Sequence, residues 1–220
     1  MLVPTFGAGG QETYARALVD GTAVLTLSDV RPSARPVRVP VARFTGPADP
    51  VDLRVLARAR GPVLDVGCGP GRMVAAALRT GLPALGVDVS RTAVRLAHAA
   101  GLPVLRRSVF EPLPAGPGFG TVLLLDGNIG IGGSPGRLLD RCRALSAPGG
   151  TVLVEVDADP DVDHAFTGVL RSDDGGSSEP FPWAHVGRTA LTRHATRAGL
   201  ALVRPWTDEG RCFVELVRGA

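Results

Sequence analysis

The stretch Val63-Leu64-Asp65-Val66-Gly67-Cys68-Gly69-Pro70-Gly71-Arg72 runs from an apolar segment straight into three glycines at alternate positions. An apolar run interrupted by one acid is the pattern of a strand buried on both faces of a parallel sheet. The turn that follows must reverse the chain tightly, admit a ligand to its backbone and seat a helix behind it, and a Cβ obstructs each of these. The spacing is G-x-G-x-G, not the G-x-G-x-x-G of dinucleotide sites. Asp88 ends the next apolar run, and Ser90 is placed to cap the helix after it. An acid about 20 residues beyond a glycine turn can accept hydrogen bonds from both hydroxyls of a ribose. Strand, turn, helix and acid in this order point to a ligand that contains an adenosine.

On either side of this unit, short apolar runs alternate with longer helical stretches, the sign of βαβ units around a parallel sheet. Strands are expected at Val63–Val66, Ala84–Val87, Val104–Arg107, Thr121–Leu125 and Thr151–Val156, with helices at Arg72–Thr80, Arg91–Ala100 and Gly136–Leu145. Gly81, Gly101 and Pro148-Gly149-Gly150 close these helices. Gly187–Ala198 reads as a further helix, and Leu200–Arg204 with Cys212–Val217 as an edge hairpin joined through Pro205 to Arg211. The fold class is therefore α/β, a doubly wound, Rossmann-like, mostly parallel sheet with an antiparallel C-terminal edge hairpin and a small N-terminal cover. The division expected is a cover over residues 1–60 and a ligand-binding domain over 61–220. Within the cover, a Gly-rich start (Gly7-Ala8-Gly9-Gly10) precedes a short helix from Glu12 to Val19. Alternation at Val24–Leu27 and Val37–Val41 then predicts a hairpin around Pro32, Ser33 and Pro36, and Val51–Ala59 reads as a helix. Residues 157–187 are polar and Gly/Ser-rich, and are expected to form a long loop over the site.

The chain has 220 residues, enough for one α/β domain with modest additions. Its 24 basic residues are all arginine and stand against 21 acidic ones, so the net charge of +3 is too small a surplus to argue for nucleic acid. Cys68, Cys142 and Cys212 have no zinc or disulfide spacing, which suits a reduced, cytoplasmic setting. No apolar run approaches the roughly 18–20 residues of a membrane span. The expected partner is a small molecule, with no membrane and no metal, and the sequence leaves the oligomeric state open.

Leu64-Asp65-Val66-Gly67-Cys68-Gly69-Pro70-Gly71 resembles the first motif of the class I S-adenosylmethionine-dependent methyltransferases, and Gly86-Val87-Asp88-Val89-Ser90 resembles their second. The segment Ala144 to Gly150 is similar to the family's loop ahead of its fifth strand, and the resemblance covers roughly residues 60–156. It implies S-adenosyl-L-methionine as cofactor. Asp65 and the turn Gly67, Cys68, Gly69 and Gly71 would hold its methionine end, and Asp88 with Val89 the ribose. Ser108 and Val109 would lie beside the adenine, and Asp126 and Gly127 follow the fourth strand at the same edge. Two positions depart from the pattern: Ser108 stands where the family usually has an acid beside the adenine, and Gly120 where an Asp often opens the fourth strand.

Methyl transfer from a sulfonium needs positioning and water exclusion more than a catalytic side chain. His164, His185 and His194 are the candidate bases. His185 is the choice, because Phe181-Pro182-Trp183-Ala184-His185 sets aromatic surface beside a titratable ring. Asp157, Asp159, Asp161 and Asp163 alternate, but read as a solvated loop, since the spacing lacks a recognised metal geometry. Three readings compete: a small-molecule methyltransferase, an NAD(P)-dependent oxidoreductase, and a methyltransferase-like binding or scaffold protein without turnover.

Overall fold

A computed structural model of the chain describes residues 6, 12–21, 24–31, 36–114, 116 and 118–219. The Gly-rich start at Gly7–Gly10 and the turn residues Pro32 and Ser33 lie outside the described residues. The chain opens with α1 (Glu12–Asp20), β1 (Val24–Asp29), β2 (Val37–Pro40), α2 (Val41–Thr45) and α3 (Pro50–Leu56). The repeating units follow as β3 (Val63–Val66), α4 (Arg72–Arg79), β4 (Ala84–Asp88), α5 (Arg91–Ala99), β5 (Val104–Arg106) and β6 (Phe119–Leu124). A 3₁₀ segment at Asn128–Gly133 leads into α6 (Pro135–Leu145), β7 (Ser146–Val156), β8 (Asp163–Arg171), β9 (Phe181–Val186), α7 (Arg188–Arg197), β10 (Leu200–Asp208) and β11 (Arg211–Arg218).

Seven strands form one sheet in the order β10-β11-β7-β6-β3-β4-β5, parallel except where β11 pairs with β7 and β10. All four residues of β3 are buried, Asp65 among them, as a strand covered on both faces of the sheet requires. Along β6 and its end the side chains alternate. Val122 and Leu124 pack with Leu138, Leu139 and Leu191 on the α6/α7 face, while Leu123 and Leu125 pack with Val55 and Met73 on the α3/α4 face. Chain order reverses between β3 and β6, and a crevice at such a switch point is where open α/β sheets bind ligands. Local sequence sets the helix starts there: Gly71, at φ 93°, is the N-cap of α4, and the Ser90 Oγ accepts from the Ala93 amide at 3.2 Å to cap α5.

Four strands, β2-β1-β8-β9, form a second, fully antiparallel sheet. This corrects two expectations. Residues 157–187 are largely strand rather than loop: Thr26 to Asp29 pair with Gly168 to Arg171, and His164 pairs with His185. The two segments expected over the site, 1–60 and 157–187, form one cover with its own core of Tyr14, Leu18, Leu25, Leu27, Leu170, Phe181 and Trp183, but α3, expected within that cover, packs onto the main sheet. A third difference lies at the C-terminus, where β10 continues through Pro205 to Asp208 and only Glu209-Gly210, both at positive φ, make the turn. β10 is an edge strand, and proline is tolerated there because its missing N–H need not enter a ladder.

Candidate active site

A cavity of about 490 Å³ opens between the carboxyl edge of the main sheet and the cover sheet, within the usual range for small-ligand sites. Its floor is the glycine turn. The Gly67 and Cys68 amides donate to the Val87 carbonyl at 2.9 and 3.2 Å, and the Gly69 amide donates to Asp88 Oδ2 at 2.8 Å. The missing Cβ of Gly69 would have only the Tyr14 hydroxyl within 4 Å, at 3.9 Å, so this glycine keeps the backbone accessible. Gly71 does not line the cavity. A Cβ there would meet the Leu102 side chain at 2.6 Å, so its absence lets α4 pack.

Asp88 lies at the rim, its Oδ1 accepting from the Ser90 amide at 2.7 Å and its Oδ2 from Gly69. Each oxygen retains a lone pair for a ligand hydroxyl. Val89, Ser108 and Val109 continue the same wall. The Ser108 Oγ accepts from the Phe110 amide at 3.3 Å, and its hydroxyl proton is left to donate. Gly120, the other departure from the family pattern, has a packing reason: a Cβ would come within 2.7 Å of the Arg60 and Gly61 carbonyl oxygens.

Asp65 is 4% exposed, and burial, reinforced by Asp126 and Asp88, pushes its carboxyl up to about 8. Burial also raises Asp88, against the pull of the amides it accepts from. No arginine or histidine among the described residues pairs with Asp65 or Asp88, so this end of the cavity favours a cation. Burial raises the Cys68 thiol well above its ordinary value, with Asp65 and Asp88 adding to the effect, so Cys68 is a small wall residue and not a thiolate nucleophile.

Asp126 is turned differently. Its carboxylate accepts from Arg43 Nε at 3.1 Å and from Arg72, and its amide donates to Glu155 Oε2 at 2.7 Å. The fully buried Asp52 accepts from Arg43 at 2.8 Å, from Arg211 at 2.9 Å and from Arg72, and Arg211 also forks onto Glu155 at 2.8 and 2.7 Å. This network holds Asp126 at φ 53°, ahead of Gly127 at φ 82°. Asn128 then donates its side-chain amide to the Val66 and Gly67 carbonyls at 2.8 and 3.1 Å, tying the loop after β6 to the glycine turn.

The cover sheet brings His185 to the cavity wall, with Trp183 and Ala184. His185 Nδ1 lies 4.0 Å from Asp157 Oδ2, and burial lowers its basicity, with His164 lowering it further and Asp157 opposing. The other histidines are engaged elsewhere: His98 Nε2 with the Val104 carbonyl at 2.6 Å, His194 with Asp163 at 3.0 Å, and His164 near Asp29 at 3.5 Å. The alternating aspartates form local turns, in which Asp157 and Asp159 accept from the amides two residues on, and no metal-binding cluster occurs among the described residues. Expected residues Asp65, Gly67, Cys68, Gly69, Asp88, Val89, Ser108, Val109, Asp126, Gly127 and His185 thus share one cavity. Sequence reasoning missed Tyr14, Arg43, Arg72 and Arg211, whose only local signal was polarity or aromaticity on elements assigned to other tasks; Asn128 lies in the segment after β6 where a ligand was expected.

Comparison with known proteins supports the class that this fold and site define. The sequence matches the model of a methyltransferase domain family over residues 42–204. No curated protein matches it. Among solved structures, a SAM-dependent methyltransferase from Bacteroides fragilis in complex with S-adenosyl-L-homocysteine is similar at 20% identity, with a TM-score of 0.77 over 100% of this chain and 98% of that one. A sugar N-methyltransferase from a Streptoalloteichus species shows 18% identity and a TM-score of 0.55 over 77% and 84%. The 1,6-didemethyltoxoflavin-N1-methyltransferase of Burkholderia thailandensis shows 17% and 0.54 over 78% and 80%. The chain belongs to the methyltransferase domain family and has the class I methyltransferase fold.

Proposed function

We propose that the protein is an S-adenosylmethionine-dependent methyltransferase whose acceptor is a small molecule. The observation that carries the reading is the pairing of a backbone-open glycine turn with the buried Asp65 and the rim carboxylate Asp88, neither paired with a cation among the described residues, beneath the cover sheet. The residues fit the cofactor. Asp65 and the Gly67–Gly69 turn would face its charged methionine end, Asp88 and Val89 the ribose, and Ser108 and Val109 the adenine. Gly71 serves by packing α4, and Asp126 and Gly127 serve through the loop they shape. When bound, the cofactor supplies an activated methyl group on a sulfonium. The protein's own work is to orient the acceptor and exclude water.

The acceptor space lies between Trp183 and His185 of β9 and the ends of β6 and β7, with His185 as the candidate base. Its enclosure by β1, β2 and β9 favours a small molecule over a polymer, and the small charge surplus gives nucleic acid no support. Two of the structural neighbours are named for small-molecule acceptors. The G-x-G-x-G spacing and the family match leave the dinucleotide oxidoreductase reading without support. No helix among the described residues is long and apolar enough to cross a membrane, and a cytoplasmic enzyme is the proposal consistent with three free cysteines. Incubation with methyl-labelled S-adenosylmethionine and a fractionated cell extract tests the acceptor class. Label in a low-mass product is expected, and label confined to protein or nucleic acid would contradict it.

A further inference from the structure

β9 pairs with β8 on one side, and its C-terminal end is bridged to the end of β7: Asp157 pairs with Gly187, and the Asp157 amide donates to the Val186 carbonyl at 2.9 Å. This bridge brings the wall residue His185 beside the carboxyl edge of the main sheet. Three features then define its ring. Phe166 of β8 stacks on it at 5.0 Å between centroids and 20° between planes, and His164 stacks on Phe166 at 5.3 Å and 12°. The Asp157 Oδ1 accepts from the Asp159 amide at 2.9 Å, which fixes the carboxylate and leaves Oδ2 toward His185 Nδ1. Nε2 is the nitrogen remote from Asp157.

Burial, joined by the neighbouring His164, lowers the basicity of the imidazole, while Asp157 opposes them and stands by to stabilise it once it gains a proton. Among the described residues, the ionisable groups that shift His185 are Asp157 after β7 and His164 on β8. The rest of the cover-side wall combines apolar Leu27, Val37, Val39 and Trp183 with Tyr14 and the two cations Arg38 and Arg43. A charged ammonium acceptor would have to shed its hydration against this wall and would bring a second cation to a sulfonium. A neutral aromatic hydroxyl pays neither penalty, but is a weak nucleophile until its proton is removed.

Building on the methyltransferase reading above, we propose that His185, oriented by Asp157 and Phe166, is the catalytic base for an aromatic hydroxyl acceptor. The acceptor O–H bond breaks as its proton passes to Nε2, and the oxygen bonds to the methyl carbon. The carbon–sulfur bond breaks with its electron pair left on sulfur, and the imidazolium returns its proton to water. Charge and atoms balance without an oxidant or a second cofactor.

The test uses the full chain with catechol and 4-methylphenol as phenol probes, and aniline and benzylamine as amine probes. Methylation of a phenol is expected, with His185→Gln slowing it about hundredfold or more at neutral pH. The variant's deficit should shrink as pH rises and the phenol ionises unaided, a recovery that a merely structural role would not produce. Independently of turnover, nitrogen-resolved NMR of the ligand-free protein should show His185 neutral at pH 7 with its proton on Nδ1. Transfer only to amines, no transfer to either phenol by protein that binds S-adenosylmethionine, an unchanged His185→Gln rate, or an imidazolium at pH 7 would each overturn the proposal. Failure to bind S-adenosylmethionine at all would instead refute the methyltransferase reading on which it rests.

Discussion

Replacing Asp65 by asparagine should change how the stability of the ligand-free protein depends on pH. The Asp65 carboxyl ordinarily ionises near 3.8, and burial with its acidic neighbours raises it to about 8 in the folded chain. Between these values the folded state holds a proton that the unfolded state has lost. Stability from this group is therefore complete below the lower value and drains away as pH rises through the upper one. At full effect the slope is about 1.4 kcal/mol per pH unit. From pH 6 to 8, where ionisation of the folded form sets in, the loss comes to about 2 kcal/mol. For a domain of this size that corresponds to roughly 4–8 °C in melting temperature. Asp65→Asn keeps the shape and abolishes the titration, so the melting temperature of the variant relative to the native protein should climb by that amount across the window. Comparing the two proteins at each pH cancels His185, whose lowered basicity contributes with the opposite sign below its unfolded value. Thermal melts of both proteins at half-unit intervals from pH 6 to 8 provide the measurement. Parallel curves would refute the claim that Asp65 is an uncompensated buried acid.

The remaining predictions concern the turn and its supports. Asp88→Ala should weaken S-adenosylmethionine binding by about 1–3 kcal/mol, as a ribose loses its charged acceptor, and unchanged affinity by titration would remove Asp88 from the site. Gly69→Val should abolish binding, because a φ of 55° strains a branched residue and its side chain would fill the open side from which a ligand reaches the backbone. Circular dichroism must show that variant folded for the result to count. Arg72→Leu should cost about 3 kcal/mol or more of stability, read by urea denaturation, since Asp52 is fully buried and loses one of its three arginine partners. A loss under 1 kcal/mol would show that Arg43 and Arg211 suffice.

The central unit was legible because its signals are local. A four-residue run with one acid among three apolar residues, glycines at fixed offsets and an acid one βαβ unit later each constrain the backbone within a few positions, and β3, β4 and their helices form where expected. The cover sheet was not legible, because its strands meet across some 140 residues of sequence and the pairing of β1 with β8 leaves no local trace. The Asp, Gly and Ser residues between Ser172 and Ser178 read as a loop although they only turn one strand into the next: the Gly176 carbonyl accepts from the Ser172 amide at 2.9 Å and the Ser178 amide donates to Leu170. The arginine network was hidden for the same reason. Arg43, Arg72 and Arg211 lie far apart in the chain, and only the fold gathers them around Asp52. His185 could be singled out by its aromatic neighbours, but Asp157 and Phe166 as its partners could not.

Calorimetric titration of the purified chain with S-adenosylmethionine, S-adenosylhomocysteine and NAD tests the account most directly. Saturable binding of the first two, with no heat from NAD, is the result it predicts. Binding of NAD alone, or silence from all three, would contradict it.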